Sequence, residues 1–171
     1  MTGALERLNA LPPEEAVATL VSCCGSSEWA RRVAAARPFG SEADLGEASD
    51  RIWRGLSRAD WLEAFAAHPK IGSSVAAGPA QSRAWSLEEQ RGASGASSET
   101  LADLAAANRA YEGRFGHIFI VCASGRTADE MLELARQRLG NDAESELALA
   151  AEEQRKITRL RLEKLIAPGE K

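Results

Sequence analysis

Apolar residues recur along this chain at intervals of three and four, and proline or glycine cuts that pattern into short lengths, so the chain is committed to packed helices. Pro12-Pro13 opens a run whose Val17, Leu20, Val21 and Cys24 share one face before Gly25 closes it. A shorter helix follows a cap at Ser26 or Ser27, carries Trp29 and Val33, and ends at Arg37 before Pro38. Leu45, Ala48, Ile52 and Trp53 mark a third. Ser57, with Asp60 three residues on, caps a fourth, whose Trp61, Phe65 and His68 align. Pro69 disfavours helical geometry before it and so sets His68 at the very end of that helix.

Residues 71–84 are rich in glycine, serine and alanine and read as a loop. Residues 86–90 begin a helical turn, and 92–98 return to loop. Ser98 caps a helix with Leu101, Leu104, Ala105, Asn108 and Tyr111 on one side, ending near Gly116. Residues 118–121 form the one β-like run, too short and solitary to build a sheet. Thr127 and Glu130 make a capping box for a helix holding Met131, Leu134, Ala135 and Arg138, stopped by Gly140-Asn141. A long last helix runs from 142 to 166. The reading is an all-α fold, a single domain over residues 1–171 built as a bundle of roughly eight helices.

Charge and residue counts remove several function classes. The net charge is -4, from 21 basic and 25 acidic residues without long single-sign blocks, which argues against nucleic acid as a partner. The longest apolar stretch, 118–123, falls far short of the ~18 residues of a membrane span. Cys23 and Cys24 are adjacent and Cys122 stands apart, so they read as reduced thiols of a cytoplasmic protein. With only His68 and His117, a multi-histidine metal site is not expected.

Three clusters can carry chemistry. His68-Pro69-Lys70-Ile71-Gly72 puts an imidazole at a helix C-terminus, where the helix dipole favours its protonated form and suits it to general acid work. It could equally cap the helix by bonding a terminal carbonyl. Ser86 and Glu89 stand in capping-box spacing, a structural role that needs no function. The same capped turn would offer free N–H groups to a carboxylate or urea oxygen, and Gln90 adds an amide. Arg161 projects from an apolar sector of the last helix, between Ile157 and Leu165, and needs an acidic partner such as Glu89 or a substrate carboxylate. Arg159 points elsewhere and reads as a solvated surface residue. The run Phe119-Ile120-Val121-Cys122-Ala123 has core side chains, but its backbone lacks a partner strand and must be satisfied somehow, a flat polar ligand being one solution. His117 reads as a local surface or rim residue.

Taken in order, these clusters resemble the 2-oxo-4-hydroxy-4-carboxy-5-ureidoimidazoline (OHCU) decarboxylase family. The likeness runs through Asn9-Ala10-Leu11-Pro12, Cys23-Cys24-Gly25-Ser26, Trp29, Arg37-Pro38-Phe39 and HPKIG at 68–72. It continues through Trp85-Ser86, Glu89-Gln90, Asn108, Tyr111, FGHIFIVCA at 115–123, Gly125-Arg126 and ITRLRLEKL at 157–165. One departure is Ser73-Ser74, where members often have an acidic residue. The resemblance implies an all-α, cofactor-free, often homodimeric enzyme that converts OHCU, a small ureide, to (S)-allantoin and carbon dioxide. It makes His68 the proton donor, Glu89 the catalytic glutamate and Arg161 the arginine of the last helix. It assigns Pro69, Ser86, Leu87, Glu88, Gln90 and the backbone of Phe119, Ile120, Val121, Cys122 and Ala123 to substrate binding, with no metal. The competing class is a non-enzymatic helical binding module, and another alternative is an enzyme of the same fold acting on a different ureide.

Overall fold

Most helices begin where the sequence supplies an oxygen for a first-turn N–H that has no partner within the helix. Ser26 Oγ accepts from Trp29 N at 3.2 Å, Ser41 Oγ from Asp44 N at 3.1 Å, and Ser97 Oγ from Thr100 N at 3.1 Å. Thr127 Oγ1 accepts from Glu130 N at 3.2 Å, and Asp142 from Ser145 N at 2.8 Å. A computed structural model describes residues 3–70, 80–93 and 95–168. Within them run α1 (Ala4–Ala10), α2 (Pro13–Val21), α3 (Ser27–Ala35), α4 (Glu42–Arg54), α5 (Arg58–Ala66), α6 (Ala80–Glu89), α7 (Ser98–Phe115), α8 (Ala128–Arg138) and α9 (Ala143–Ile166). A 3-10 turn, Arg91–Ala93, follows α6, and the described residues include no strand. The fold is all-α, as expected.

The differences from expectation have local causes. Helix α1 was not expected; it lacks a side-chain N-cap, although Glu6 reaches back to Gly3 N at 2.9 Å. Ser97, not Ser98, caps α7. Helix α6 takes in residues 80–84, which read as loop, because alanine, glutamine and arginine favour helix. Residues 71–79, including Ile71, Gly72 and Ser73-Ser74, lie outside the described residues.

The chain divides into two packing units, one of residues up to Ala64 together with those from Arg155 onward, the other of Phe65–Gln154. In the first, Leu20, Trp29, Val33 and Leu45 are buried where α2 packs on α3 and α3 on α4. Its motif residues clasp one another. Asn9 Nδ2 donates to Phe39 O and Phe39 N donates to Asn9 Oδ1, both at 2.9 Å. The Arg37 guanidinium closes the ends of α1 and α3 by donating to Leu8 O, Leu11 O and Ala34 O. These parts of the resemblance therefore belong to the scaffold. In the second unit α7 packs on α8 around Leu104, Tyr111, Met131 and Ala135, each 0% exposed, with Phe119, Val121 and Ala123 in the same cluster. Gly116 ends α7 in the left-handed region at φ 80°, which a residue with a Cβ adopts only under strain.

Candidate active site

The second unit contains most of the residues singled out in the sequence. Helix α5 stops at Ala66, and His68 lies two residues beyond it in the turn, where its N–H donates to Phe65 O at 3.1 Å. The expected position at the helix end is therefore corrected by one turn residue: Pro69, buried, bars helical geometry at His68 and the chain leaves the helix before reaching it. The His68 ring reaches α9, where its Nε2 lies 2.5 Å from Gln154 Oε1. Gln154 is 0% exposed. This ring nitrogen is thus committed to a side chain from a distant helix.

Ser86 is not an N-cap. It lies inside α6, where its carbonyl accepts from Gln90 N at 3.1 Å, so the capped turn with free N–H groups expected there does not form. Glu89 is instead the last residue of α6 and is 8% exposed, with Ser86 buried one turn before it and Gln90 half-buried after it. Leu87, at 58% exposure, and Glu88 face outward. A buried carboxylate at a helix C-terminus opposes both solvation and the helix dipole, so its place there calls for a partner or a ligand.

Residues 118–122 show how an unpaired extended segment survives in a helical protein. The carbonyl of Ile118 meets His117 Nδ1 at 3.0 Å, that of Ile120 accepts from Arg138 Nη1 at 2.5 Å, and that of Cys122 accepts from Arg126 Nε at 3.2 Å. Cys122 N donates to Glu153 Oε1 at 3.4 Å. In extended backbone, alternate residues direct their N–H and C=O groups to opposite edges. The carbonyls of the even-numbered residues, and the Cys122 amide, are therefore met by side chains. Among the described residues the backbone groups of Phe119 and Val121, on the other edge, have no hydrogen-bond partner. Buried amides in that state need a ligand or water.

Glu153 and Gln154 are consecutive on α9, so the chain at Cys122 and the ring of His68 are tied to the same turn of one helix. Behind the segment, Glu146, 0% exposed, accepts from Tyr111 Oη at 2.5 Å, from Arg138 Nε at 2.6 Å and from Asn141 Nδ2 at 3.0 Å. Burial, with the Glu146 carboxylate adding to it, pushes the Tyr111 hydroxyl well above its ordinary range. The ring of His117 packs against Phe65 at 5.3 Å and Tyr111 at 5.5 Å and is 9% exposed. His117 is accordingly a buried aromatic neighbour, which corrects the expected rim position; the apolar residues on both sides enclose it.

Arg161 belongs to the first unit, where it is 2% exposed and Nη1 donates to Ser22 O at 3.2 Å, at the C-terminal end of α2. A helix C-terminus suits a cation. Nearby, burial above all pushes the Cys24 thiol up to about 11, against the opposing pull of Ser26, Thr158 and Arg161. Arg159 is not a solvated surface residue. Its Nε pairs with Asp50 at 3.2 Å, and its guanidinium fills the space over Gly46, where a Cβ would fall 1.7 Å from Nη1.

The residues that sequence reasoning missed are Gln154, Glu153, Glu146 and Arg138. Their signal was present. Glu146, Ala150, Gln154, Ile157 and Arg161 succeed one another at three- and four-residue intervals, so polar groups interrupt a buried helical stripe. Among the described residues no group of three or more histidines, cysteines or carboxylates could hold a metal ion.

The chain is similar to known proteins. A family model described as OHCU decarboxylase matches residues 9–163. The chain is 41% identical over 147 residues to the uric acid degradation bifunctional protein TTL of Arabidopsis thaliana, covering 85% of this chain and 45% of that protein. It is 31% identical over 171 residues to the 2-oxo-4-hydroxy-4-carboxy-5-ureidoimidazoline decarboxylase of Amia calva, covering 95% of this chain and 94% of that one. A crystal structure of OHCU decarboxylase in the presence of (S)-allantoin aligns with a TM-score of 0.78 at 38% identity, over 88% of this chain and 99% of that chain. The chain spans less than half the length of the bifunctional relatives it matches.

Proposed function

The chain belongs to the OHCU decarboxylase family, and from that premise we propose that it removes carbon dioxide from OHCU and protonates one face of the product to give (S)-allantoin, in uric-acid degradation. The observation that carries the reading is the open edge of Phe119 and Val121, on a segment fastened to the same turn of α9 as His68. Such an edge offers alternating donors and acceptors to a flat ureide ring.

The chemistry asks little of the protein beyond geometry. The bond from the ring carbon to the carboxylate breaks, and its electron pair moves into the adjacent C=N bond of the substrate, so the electron sink travels with the substrate. The C=N nitrogen takes up the displaced pair with a proton. The neighbouring ureido-bearing carbon then takes a proton on one face to form the new C–H bond, and the hydroxyl loses its proton as the carbonyl of the product forms. The protein has to hold the carboxylate out of the ring plane, stabilise developing charge and supply the proton from one side. In this proposal Arg161 grips and orients the carboxylate, Glu89 and Gln90 hydrogen-bond the ureide and hydroxyl groups with Ser86 and the backbone of Leu87 and Glu88 beside them, and His68 on Pro69 delivers the proton. The backbone of Phe119, Ile120, Val121, Cys122 and Ala123 supports the ring. Independence of cofactors, a cytoplasmic setting and a homodimer are parts of the same proposal.

The test is turnover of freshly generated OHCU by purified protein, followed by chiral chromatography. The expected result is (S)-allantoin formed faster than spontaneous decay. Racemic allantoin at the uncatalysed rate would overturn the reading and favour a binding module.

A further inference from the structure

We infer that Gln154 is a positioning residue that sets which nitrogen of His68 does the work: Nε2 is held protonated throughout, and Nδ1 is the atom that gives and recovers the proton. The inference rests on the decarboxylase reading for its kinetic part and on geometry alone for its tautomer part. Gln154 is fully buried, and its Oε1 lies 2.5 Å from Nε2 across 86 residues of sequence. A carbonyl oxygen can only accept, so the proton of this bond belongs to Nε2. The orientation also follows from the chemistry. An imidazolium donates from both nitrogens, and a glutamine that turned its NH2 toward the ring would oppose that charged form. The carbonyl is the only end of this side chain that a histidine acid tolerates in both of its protonation states.

Charged neighbours along the chain and on α9 have contacts of their own. Lys70, two residues on, pairs with Glu112 of α7 at 3.0 Å. Glu153 of α9 meets Cys122 N, and His117 packs on Phe65 with Nδ1 at its own neighbour's carbonyl. Glu89 of α6 is the acid that the proposed site brings to the substrate. Gln154 is neutral, so it fixes the proton's address without neutralising the imidazolium, which a carboxylate in its place would do.

The chain has only two histidines, so nitrogen-15 NMR of the labelled protein shows two imidazoles, and His68→Asn assigns them. In the wild type the expected result is an Nε2 of His68 that stays protonated across the titration while Nδ1 changes state. Gln154→Leu should move the His68 midpoint to lower pH, because an acceptor of the charged form is lost, and should reduce kcat by about tenfold with KM within about twofold. Gln154→Glu should move the midpoint, and the basic limb of the kcat profile, to higher pH. Gln154→Asn, which keeps the amide but falls short of the ring, should resemble Leu and covers the case in which Leu does not fold. A neutral His68 protonated at Nδ1 would overturn the inference, as would folded Leu or Asn variants with wild-type kcat and an unmoved midpoint. If the wild type does not turn over OHCU, the decarboxylase reading falls, and the NMR titration still decides the role of Gln154.

Discussion

A histidine gripped at one ring nitrogen exchanges protons at the other, and its value then depends on where that second nitrogen points. Removing the ring removes both functions. His68→Ala is expected to lower turnover by about 10²-fold or more, with a loss of about 1–3 kcal/mol in stability because buried Gln154 loses a hydrogen-bond partner; steady-state rates and urea melts measure the two. Near-normal rates would remove His68 from the reaction. Glu89→Gln is nearly isosteric and leaves α6 intact, so a large fall in kcat at unchanged circular dichroism is the expected signature of a carboxylate used in chemistry. Wild-type rates would make Glu89 structural. Arg161→Lys keeps the charge and loses the planar fork, so kcat/KM should fall by about tenfold or more, whereas an analogue without the carboxylate should bind both proteins alike. His68 and Arg161 stood out in the sequence because each combines a polar group with an apolar helical sector, and Glu89 because of its spacing from Ser86. The partners did not, since Gln154 lies 86 residues from His68 and no local spacing connects them.

Elements were easier to read at their starts than at their ends. Ser26, Thr127 and the Ser57–Asp60 pair act as their spacing implied, because a cap is a contact within four residues. Ser86 failed for the same reason: capping-box spacing also occurs in the middle of a helix, and the helix-forming residues before it decide the matter. The turn after α6 shows how one element reaches the site. A Cβ on Gly92 would come within 2.0 Å of Arg126 O, a backbone atom with no room to retreat, and the Arg126 side chain holds the carbonyl of Cys122. Gly92→Ala should therefore cost about 1–3 kcal/mol in a denaturant melt and raise KM as well. A normal KM in a destabilised variant would show that the displacement stops short of residues 118–122.

At the scale of the whole molecule, the buried thiol and phenol make the fold sensitive to alkali. Burial pushes the Cys24 thiol up to about 11 from its ordinary value of 9.0, and Tyr111 is raised as well. Each keeps its proton in the folded state after the unfolded chain has lost it. Their contribution is complete below the unfolded values and is lost as pH rises through the folded ones, so for Cys24 stability should fall from about pH 9 toward 11. Urea midpoints on either side of that window check it, and Cys24→Ala should flatten the slope. An equal slope in the variant would place the effect elsewhere. The all-α class was visible from periodicity alone, whereas the division into two units was not, because both α5 and α9 run past its boundary without any break in their patterns. The segment at 118–122 has a consequence for how such a protein can vary. Its open edge is made of main-chain amides and carbonyls, which most substitutions at Phe119 and Val121 would leave chemically unchanged. The packing of those side chains can therefore drift with the core while the recognition pattern stays fixed. Among the common replacements only proline, which lacks the amide hydrogen, deletes a letter from that pattern.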